Sequence, residues 1–235
     1  MANPKLFRII DKAVSMYSMI ENGDRILLGA SGGKDSTALA EYFSYRLKRK
    51  DINFEVTAMH IETNLSPPFS DKLKSLFCQW NIPLVIKQVN VLERLKPEKQ
   101  MNCWWCSTQR RTELNQFAMK NRYNKIALGH HLDDILETIL MNALTNSCLE
   151  GMPPKLKFQK YPVTLIRPLA LADIKTIKQH AENQGYITTT CTCNYQSNSH
   201  RKTARTRLDL LTDGKYELKK KLFHAFRNIN TEYLP

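Results

Sequence analysis

The sequence has no apolar run long enough to span a bilayer, which excludes a transmembrane helix. Its first twenty residues do not resemble a signal peptide, because Lys5, Arg8, Asp11 and Lys12 interrupt their apolar pattern. Repeats, low-complexity segments and interdomain linkers are also absent. We therefore expect a cytoplasmic protein with no membrane partner, in which the six cysteines do not form structural disulfides.

Acidic residues are the minority among the charged residues. The chain has 22 Asp and Glu against 35 Lys and Arg, which gives a net charge of +13. Such an excess favours a polyanionic partner such as RNA, although a basic surface that serves solubility alone is also common. The length of 235 residues is sufficient for one α/β domain with small additions and for a sizeable core.

Residues 29–36, Gly-Ala-Ser-Gly-Gly-Lys-Asp-Ser, carry the clearest chemical signal. A buried strand is predicted before them and a helix after them, so that backbone N–H groups of the turn and of the helix start form a pocket for phosphate. Lys34 adds a mobile cation, and Asp35 and Ser36 either cap the helix or help to hold Mg²⁺. The predicted phosphate-binding residues are Ala30, Ser31, Gly32, Gly33, Lys34, Asp35 and Ser36.

This turn is not a Walker A loop, because Asp35 occupies the position where that loop requires Ser or Thr. It is also not the G-x-G-x-x-G turn of dinucleotide-binding folds. Ser-Gly-Gly-Lys-Asp-Ser after a strand instead resembles the PP-loop of the ATP pyrophosphatase superfamily. Members of that superfamily split ATP between the α- and β-phosphates and transfer AMP to a substrate oxygen. The alternative is an ordinary glycine-rich turn capped by Ser and Asp.

Strands alternate with helices along the chain, which predicts a parallel sheet with helices on both faces. Ligands of such sheets bind at the carboxyl ends of the strands, where the glycine turn lies. We expect a single domain, 1–235, with an N-terminal helix in 1–22 and a basic helical segment in 199–235. The predicted strands are 25–28, 54–61, 84–86, 125–129 and 163–166, and the predicted helices are 4–20, 34–49, 71–80, 104–121, 132–144 and 173–183.

Cysteines form the second informative element, in Cys103-Trp-Trp-Cys106 and in Cys191-Thr-Cys193. One interpretation is a 4Fe-4S cluster, in which the C-x-x-C pair and one distant thiolate leave a coordination position open for a sulfide. The others are a structural zinc site with four thiolates, a redox pair that works in sulfur transfer, and buried cysteines without chemistry. Cys78 and Cys148 are expected in the core.

Polar residues also follow the predicted fourth strand, in the stretch Gly129–Asp134. Gly129 lets a ligand approach the backbone, whereas Asp133 and Asp134 either coordinate the magnesium of ATP or only offset the helix dipole. Glu137 is expected on the same helix face.

The roles of two pairs of residues each have two interpretations. Arg110 and Arg111 follow the C-x-x-C pair by about one helical turn, and they bind ATP or RNA phosphate or only solvate the helix. His130 and His131 are general acids or bases, or they are structural.

Five motifs in one order resemble the tRNA 2-thiocytidine synthetase family of PP-loop tRNA thiolases, over roughly residues 5 to 210. The resemblance implies a HUP-like, Rossmann-like α/β fold that binds ATP, Mg²⁺ and a 4Fe-4S cluster. It also implies that the substrate is a cytidine in the anticodon loop of tRNA. The motifs are Ser31–Ser36, Cys103-x-x-Cys106 with Arg110-Arg111, Ile126–Asp134, Gly151–Leu156 and Ile166–Leu169.

By position, the resemblance makes Cys103 and Cys106 two of the cluster ligands. The third is Cys191 or Cys193; Cys191 aligns without a gap from the preceding helix, although the family has C-x-x-C where this chain has Cys-Thr-Cys. The implied catalytic residues are Lys34, Asp35 and Asp134, and the implied nucleotide-binding residues beyond the glycine turn are Ala58, His60, Arg110, Gly129 and Asp134.

The implied reaction is ATP-dependent thiolation of tRNA. The enzyme adenylates the C2 oxygen of the cytidine and replaces it with sulfur delivered on the cluster, with sulfide or a cysteine-desulfurase-type protein as donor. Related 2-thiouridine thiolases usually add zinc-finger cysteines at their ends, which this sequence lacks. Uridine thiolation, and a PP-loop ligase or RNA-binding protein with zinc-binding or structural cysteines, are the alternatives, and a homodimer is left open.

Overall fold

The computed structural model describes residues 3–96, 98–159, 161–186 and 199–233, apart from the side chains of residues 199 and 200. Six strands in these ranges form one sheet with the order β3-β2-β1-β4-β6-β5. All neighbouring strands are parallel except β5, which is antiparallel to β6. The strands are β1 (Asp24–Gly29), β2 (Phe54–Thr63), β3 (Leu84–Val89), β4 (Lys125–Ala127), β5 (Lys155–Lys157) and β6 (Thr164–Ile166).

Eight helices surround this sheet in the described residues, which confirms the predicted α/β class. The basic segment near the end of the chain forms two of them, and both pack against the fifth helix. No helix in the described ranges combines the length and the apolar character that a membrane crossing requires. The helices are α1 (Lys5–Met16), α2 (Lys34–Arg49), α3 (Asp71–Gln79), α4 (Cys103–Lys120), α5 (Leu132–Thr145), α6 (Ile174–Asn183), α7 (Ser199–Thr212) and α8 (Tyr216–Ala225).

The first helix ends four residues earlier than predicted. Ser18 adopts a left-handed conformation with φ of 46°. Met19 N–H then donates to Val14 O at 2.9 Å, and Ser18 N–H donates to Ser15 O at 3.2 Å. These two bonds are a Schellman motif, which glycine usually forms. The early end lets the chain bury Met19 in the core.

The described residues form a core of two hydrophobic clusters. Ile26 and Leu28 of β1 belong to one cluster, whereas Leu27 between them belongs to the other. Alternate residues of a strand point to opposite faces of a sheet, so the two clusters lie on its two sides. This double burial is typical of parallel sheets covered by helices, and it leaves the carboxyl edge of the strands as the place for polar side chains.

Two predicted core cysteines are not in the core. Cys78 is exposed on α3, and Cys148 is only half-buried after the end of α5. The prediction was wrong because helical periodicity does not show which face of a short helix is covered.

Candidate active site

The glycine turn joins β1 to α2 at the carboxyl edge of the sheet. Gly32 has φ of 81°, a left-handed conformation that glycine adopts without strain. Gly33 is the N-cap of α2, and no side chain in the described part of the chain caps the helix. The proposed capping by Asp35 and Ser36 is therefore wrong, and the first-turn N–H groups are left for an external acceptor.

Ser36 shapes the turn from inside. Its Oγ accepts a hydrogen bond from Ser31 N–H at 3.2 Å and donates to Gly33 O at 3.1 Å. The side chain of Ser36 is buried, whereas Lys34 and Asp35 are partly exposed. Ser36 therefore fixes the shape of the pocket and leaves the other two side chains at its opening.

Lys34 and Asp35 form an ion pair at this opening, with Lys34 Nζ 3.1 Å from the carboxylate. Both side chains keep part of their surface in solvent, at 20% and 28% exposure. A pair of this kind is weak, because water screens it. The ammonium group is therefore available to a phosphate that enters the pocket.

Gly129 contacts the start of α2. A Cβ atom at this position would lie 3.1 Å from Ser36 N and 3.2 Å from the carbonyl carbon of Asp35. Gly129 thus lies close to the protein's own backbone, and its predicted contact with a nucleotide stays a prediction. Gly129 brings the end of β4 against the phosphate turn, and a side chain there would push the two apart.

The two adjacent aspartates of α5 have different partners. Asp134 Oδ2 accepts from His131 N–H at 3.1 Å, and His131 Nδ1 accepts from Asp134 N–H at 3.4 Å, which is a reciprocal cap of the helix. Asp133 is 3% exposed, and its oxygens accept from Lys219 Nζ at 2.7 Å and from Ile174 N–H at 2.8 Å. Asp133 therefore joins α5 to α6 and α8, and the idea that it binds magnesium is wrong.

Lys219 belongs to the core and not to the basic surface where composition placed it. It is 2% exposed and lies between Asp133 and Asp209. We expect Lys219→Ala to lower the free energy of unfolding by about 3–5 kcal/mol, since it leaves the Asp133 charge buried without its cation. Lys220→Ala, which removes an exposed pair with Glu217, is the control and is expected to cost less than about 1 kcal/mol. Urea denaturation measures both, and equal midpoints would contradict the buried pair.

Arginines to which the sequence analysis assigned no role also lie at the carboxyl edge of the sheet. Arg167 Nε donates to His130 Nδ1 at 3.3 Å. Burial, followed by the charge of Arg167, lowers the pKa of His130 to about 4, so the imidazole is neutral at pH 7. The Arg205 guanidinium donates at 2.7 Å to Glu137, which is 1% exposed. The charge of Arg201 also reaches His130. Only the tertiary fold brings these groups together.

The cysteine pair opens α4. Asn102 caps the helix, and its side chain accepts from Trp105 N–H at 2.9 Å. Cys106 is 4% exposed and its Sγ accepts from Arg110 Nη2 at 3.2 Å, while Cys103 is half-buried. Cys191 and Cys193 lie outside the described residues. Within the described ranges no three metal-binding side chains converge.

Two hydrogen bonds and one electrostatic interaction link the cysteine pair to the glycine turn. Arg110 contacts Cys106, and its charge also reaches His60. His60 Nδ1 donates to Ala30 O at 2.7 Å. Burial lowers the pKa of His60, so its Nε2 carries a lone pair, and this buried atom has no partner among the described residues. The two motifs, far apart in sequence, therefore lie within electrostatic reach of each other through one histidine and one arginine.

Ala58 and His60, two of the implied nucleotide-binding residues, are largely buried. Ala58 is fully buried opposite Leu28 and its N–H donates to Pro83 O at 2.8 Å, so it offers a base no accessible surface. His60 is 6% exposed and packs 4.7 Å from the ring of Phe69. Its Nε2 atom is therefore better suited to accept a hydrogen bond than its ring is to stack.

Proteins similar to this chain are consistent with a phosphate-binding turn at this site. The PP-loop domain family matches residues 5–210. A tRNA-cytidine(32) 2-sulfurtransferase of Polynucleobacter necessarius is 32% identical over 234 residues, which cover 96% of this chain and 75% of the relative. Another protein of that name, from Vibrio campbellii, is 34% identical over 238 residues, with coverage of 98% and 79%.

Solved structures share the fold. A U34-tRNA thiolase from Methanococcus maripaludis, solved with its 4Fe-4S cluster, has a TM-score of 0.78 at 21% identity and covers 98% of this chain and 80% of its own. An NH3-dependent NAD synthetase from Campylobacter jejuni has a TM-score of 0.54 at 14% identity, with coverage of 97% and 88%. Family match and curated relatives confirm the resemblance that the motifs indicated: the chain belongs to the PP-loop domain family and, within it, to the tRNA-cytidine(32) 2-sulfurtransferases.

Proposed function

We propose that this protein is an ATP-dependent tRNA thiolase that replaces the C2 oxygen of cytidine 32 in the anticodon loop with sulfur. The relatives' name supplies the substrate. The observation that carries the proposal is that Arg110, hydrogen-bonded to Cys106, lies within electrostatic reach of His60, which is itself hydrogen-bonded to Ala30 O of the phosphate-binding turn. A nucleotide activated at the turn is then close to a source of sulfur.

ATP binds with its phosphates on the glycine turn. The uncapped N–H groups at the start of α2 and the Lys34 ammonium neutralise the charge that develops when the cytidine oxygen attacks the α-phosphorus. Pyrophosphate leaves, and the base carries AMP on its C2 oxygen. AMP departs with this oxygen when sulfur takes its place. His60 Nε2 accepts a hydrogen bond from a hydroxyl or amino group of the nucleotide.

Asp35 and Asp134 hold the magnesium ion of ATP in this scheme. Carboxylate oxygens are the ligands that Mg²⁺ prefers. Gly129 packs against Asp35, and the charge of Asp134 reaches His130, so both carboxylates flank the 129–130 turn. Asp134 uses Oδ2 for its helix cap, and within the described residues Oδ1 makes no protein hydrogen bond.

The donor set at the start of α4 fits a 4Fe-4S cluster. Cys103 and Cys106 share the first turn, no acidic residue accompanies them there, and Arg110 donates to a sulfur that such a cluster would make more negative. Cys191 or Cys193 supplies the third thiolate. When bound, a cluster with three thiolates has one open coordination position that can present sulfur to the substrate.

The remaining partners follow from this chemistry. The arginines near His130 and the net charge of +13 suit tRNA. Sulfide or a cysteine-desulfurase-type protein supplies the sulfur, and the cytoplasm, where tRNA is modified, is the proposed location. A homodimer is compatible with this scheme.

The test is a thiolation assay with anaerobically reconstituted protein, ATP, Mg²⁺, sulfide and unmodified tRNA. We expect 2-thiocytidine in the digested tRNA by mass spectrometry, together with AMP and pyrophosphate. Detection of 2-thiouridine would instead identify the substrate as a uridine, as in the 2-thiouridine thiolases. Pyrophosphate release without any thionucleoside, by a protein that takes up no iron, would instead support a ligase.

A further inference from the structure

The first turn of α4 directs its two adjacent tryptophans to different environments. Trp105 is half-buried, and its Nε1 donates to Val91 O at 3.2 Å. It also packs against the hydrophobic cluster under α4. Trp104 is 69% exposed. Since Asn102 fixes the start of the helix, this difference is built into the fold. Trp105 therefore anchors α4, and Trp104 projects into solvent.

The surroundings of Trp104 are polar and positive. Ser107, Thr108 and Arg111 follow at helical spacing, and together with Trp104 they form what we call the α4 face. Arg111 donates to Ser107 O and to Thr108 Oγ1, and it makes no ion pair with any described residue. Residues 103–112 contain no Asp or Glu, so the positive end of the helix dipole is not offset.

A single exposed apolar side chain is ordinary, but this combination of groups suits one class of partner. Aromatic rings stack on unpaired bases, guanidinium groups hold phosphates, and hydroxyl groups contact the ribose 2′-OH. A protein partner or a membrane would require a larger apolar area than one indole. A duplex is unsuited as well, because its bases are already stacked on one another.

We propose that the α4 face binds unpaired nucleotides of the anticodon loop, with Trp104 stacked on a base and Arg111 on a phosphate. This inference rests on the proposed function, since it takes tRNA as the ligand. Trp104 directly follows Cys103, so a base stacked on it lies beside the cysteine pair. The face would therefore hold the loop in place next to the site of thiolation.

Binding of a labelled anticodon stem-loop, measured by fluorescence anisotropy without ATP, tests this inference on reconstituted proteins matched for iron content. Trp104→Ala is expected to raise Kd about ten-fold, and Trp104→Phe to restore most of the affinity. Tyr233→Ala, which removes an 83% exposed aromatic ring elsewhere, is expected to leave Kd unchanged. RNA is expected to quench tryptophan fluorescence of the wild type more than that of Trp104→Phe.

Salt dependence separates stacking from charge. Trp104→Ala is expected to keep the wild-type slope of log Kd against log salt, whereas Arg111→Gln lowers it by about one phosphate contact. An unchanged Kd for Trp104→Ala, or an equal loss with fully base-paired RNA, overturns the inference. If the wild type binds the stem-loop through Trp104 but forms no thionucleoside, the proposed function is wrong, whereas the inference that the α4 face binds RNA is supported. If the protein thiolates tRNA and Trp104→Ala changes neither Kd nor KM, only the inference about the α4 face is wrong.

Discussion

Replacement of Cys106 by alanine is expected to abolish tRNA thiolation while tRNA-dependent release of pyrophosphate from ATP continues near the wild-type rate. Cys106 is buried at the start of α4, so its loss removes a predicted cluster ligand without touching the phosphate turn. The two half-reactions use different parts of the site, and this variant separates them. Mass spectrometry of digested tRNA measures thiolation, and a coupled assay measures pyrophosphate.

Cys78→Ala is the matched control, because Cys78 is an exposed thiol on α3. It is expected to keep thiolation, adenylation and iron content. Cys106→Ala is expected to hold less iron after reconstitution, which is a readout independent of turnover. A Cys106→Ala protein with full iron content and full thiolation would show that the C-x-x-C pair is not part of the sulfur-delivering site.

The phosphate turn could be predicted from sequence because it is local. A strand, two glycines and a helix start lie within a dozen residues, and each leaves its own composition signal. The cap assignment failed at the same place. Asp35 and Ser36 are residue types that cap helices, but the chain enters α2 through Gly33. Composition indicates which groups are present, and the path of the backbone decides which of them can reach an N–H.

The contacts that assemble the site could not be predicted in this way. Cys106, His60 and Ala30 come from three separate elements, and their approach depends on strand order and on how α4 packs. The burial of Lys219 could not be predicted from its sequence neighbourhood either. Two further lysines, Lys220 and Lys221, follow it directly in sequence, yet its partner Asp133 lies 86 residues away. Strand β5 was missed because three residues, Lys155–Lys157, are too short for a periodic pattern.

Lys34→Ala is expected to reduce tRNA-dependent pyrophosphate release by about 10²- to 10³-fold, the usual effect of removing one group that stabilises developing charge. Among the residues that the structure describes, Lys34 is paired at the opening of the phosphate pocket with Asp35 only, at 3.1 Å, so the cation can move onto an entering phosphate. Without it, only backbone N–H groups and the metal ion oppose the charge that builds up at the α-phosphorus. Thiolation is expected to fall in the same proportion, since adenylation precedes sulfur transfer.

Stability distinguishes this chemical role from a structural one. The Lys34 pair is partly exposed, so its loss is expected to change the free energy of unfolding by less than about 1 kcal/mol. Lys48→Ala, at the exposed end of the same helix, is the matched control and is expected to keep full activity. If Lys34→Ala were as stable as the wild type and released pyrophosphate at the same rate, ATP would have to be activated elsewhere than on the glycine turn. If it were inactive but largely unfolded, the lysine would be holding the turn together, which its weak ion pair with Asp35 argues against.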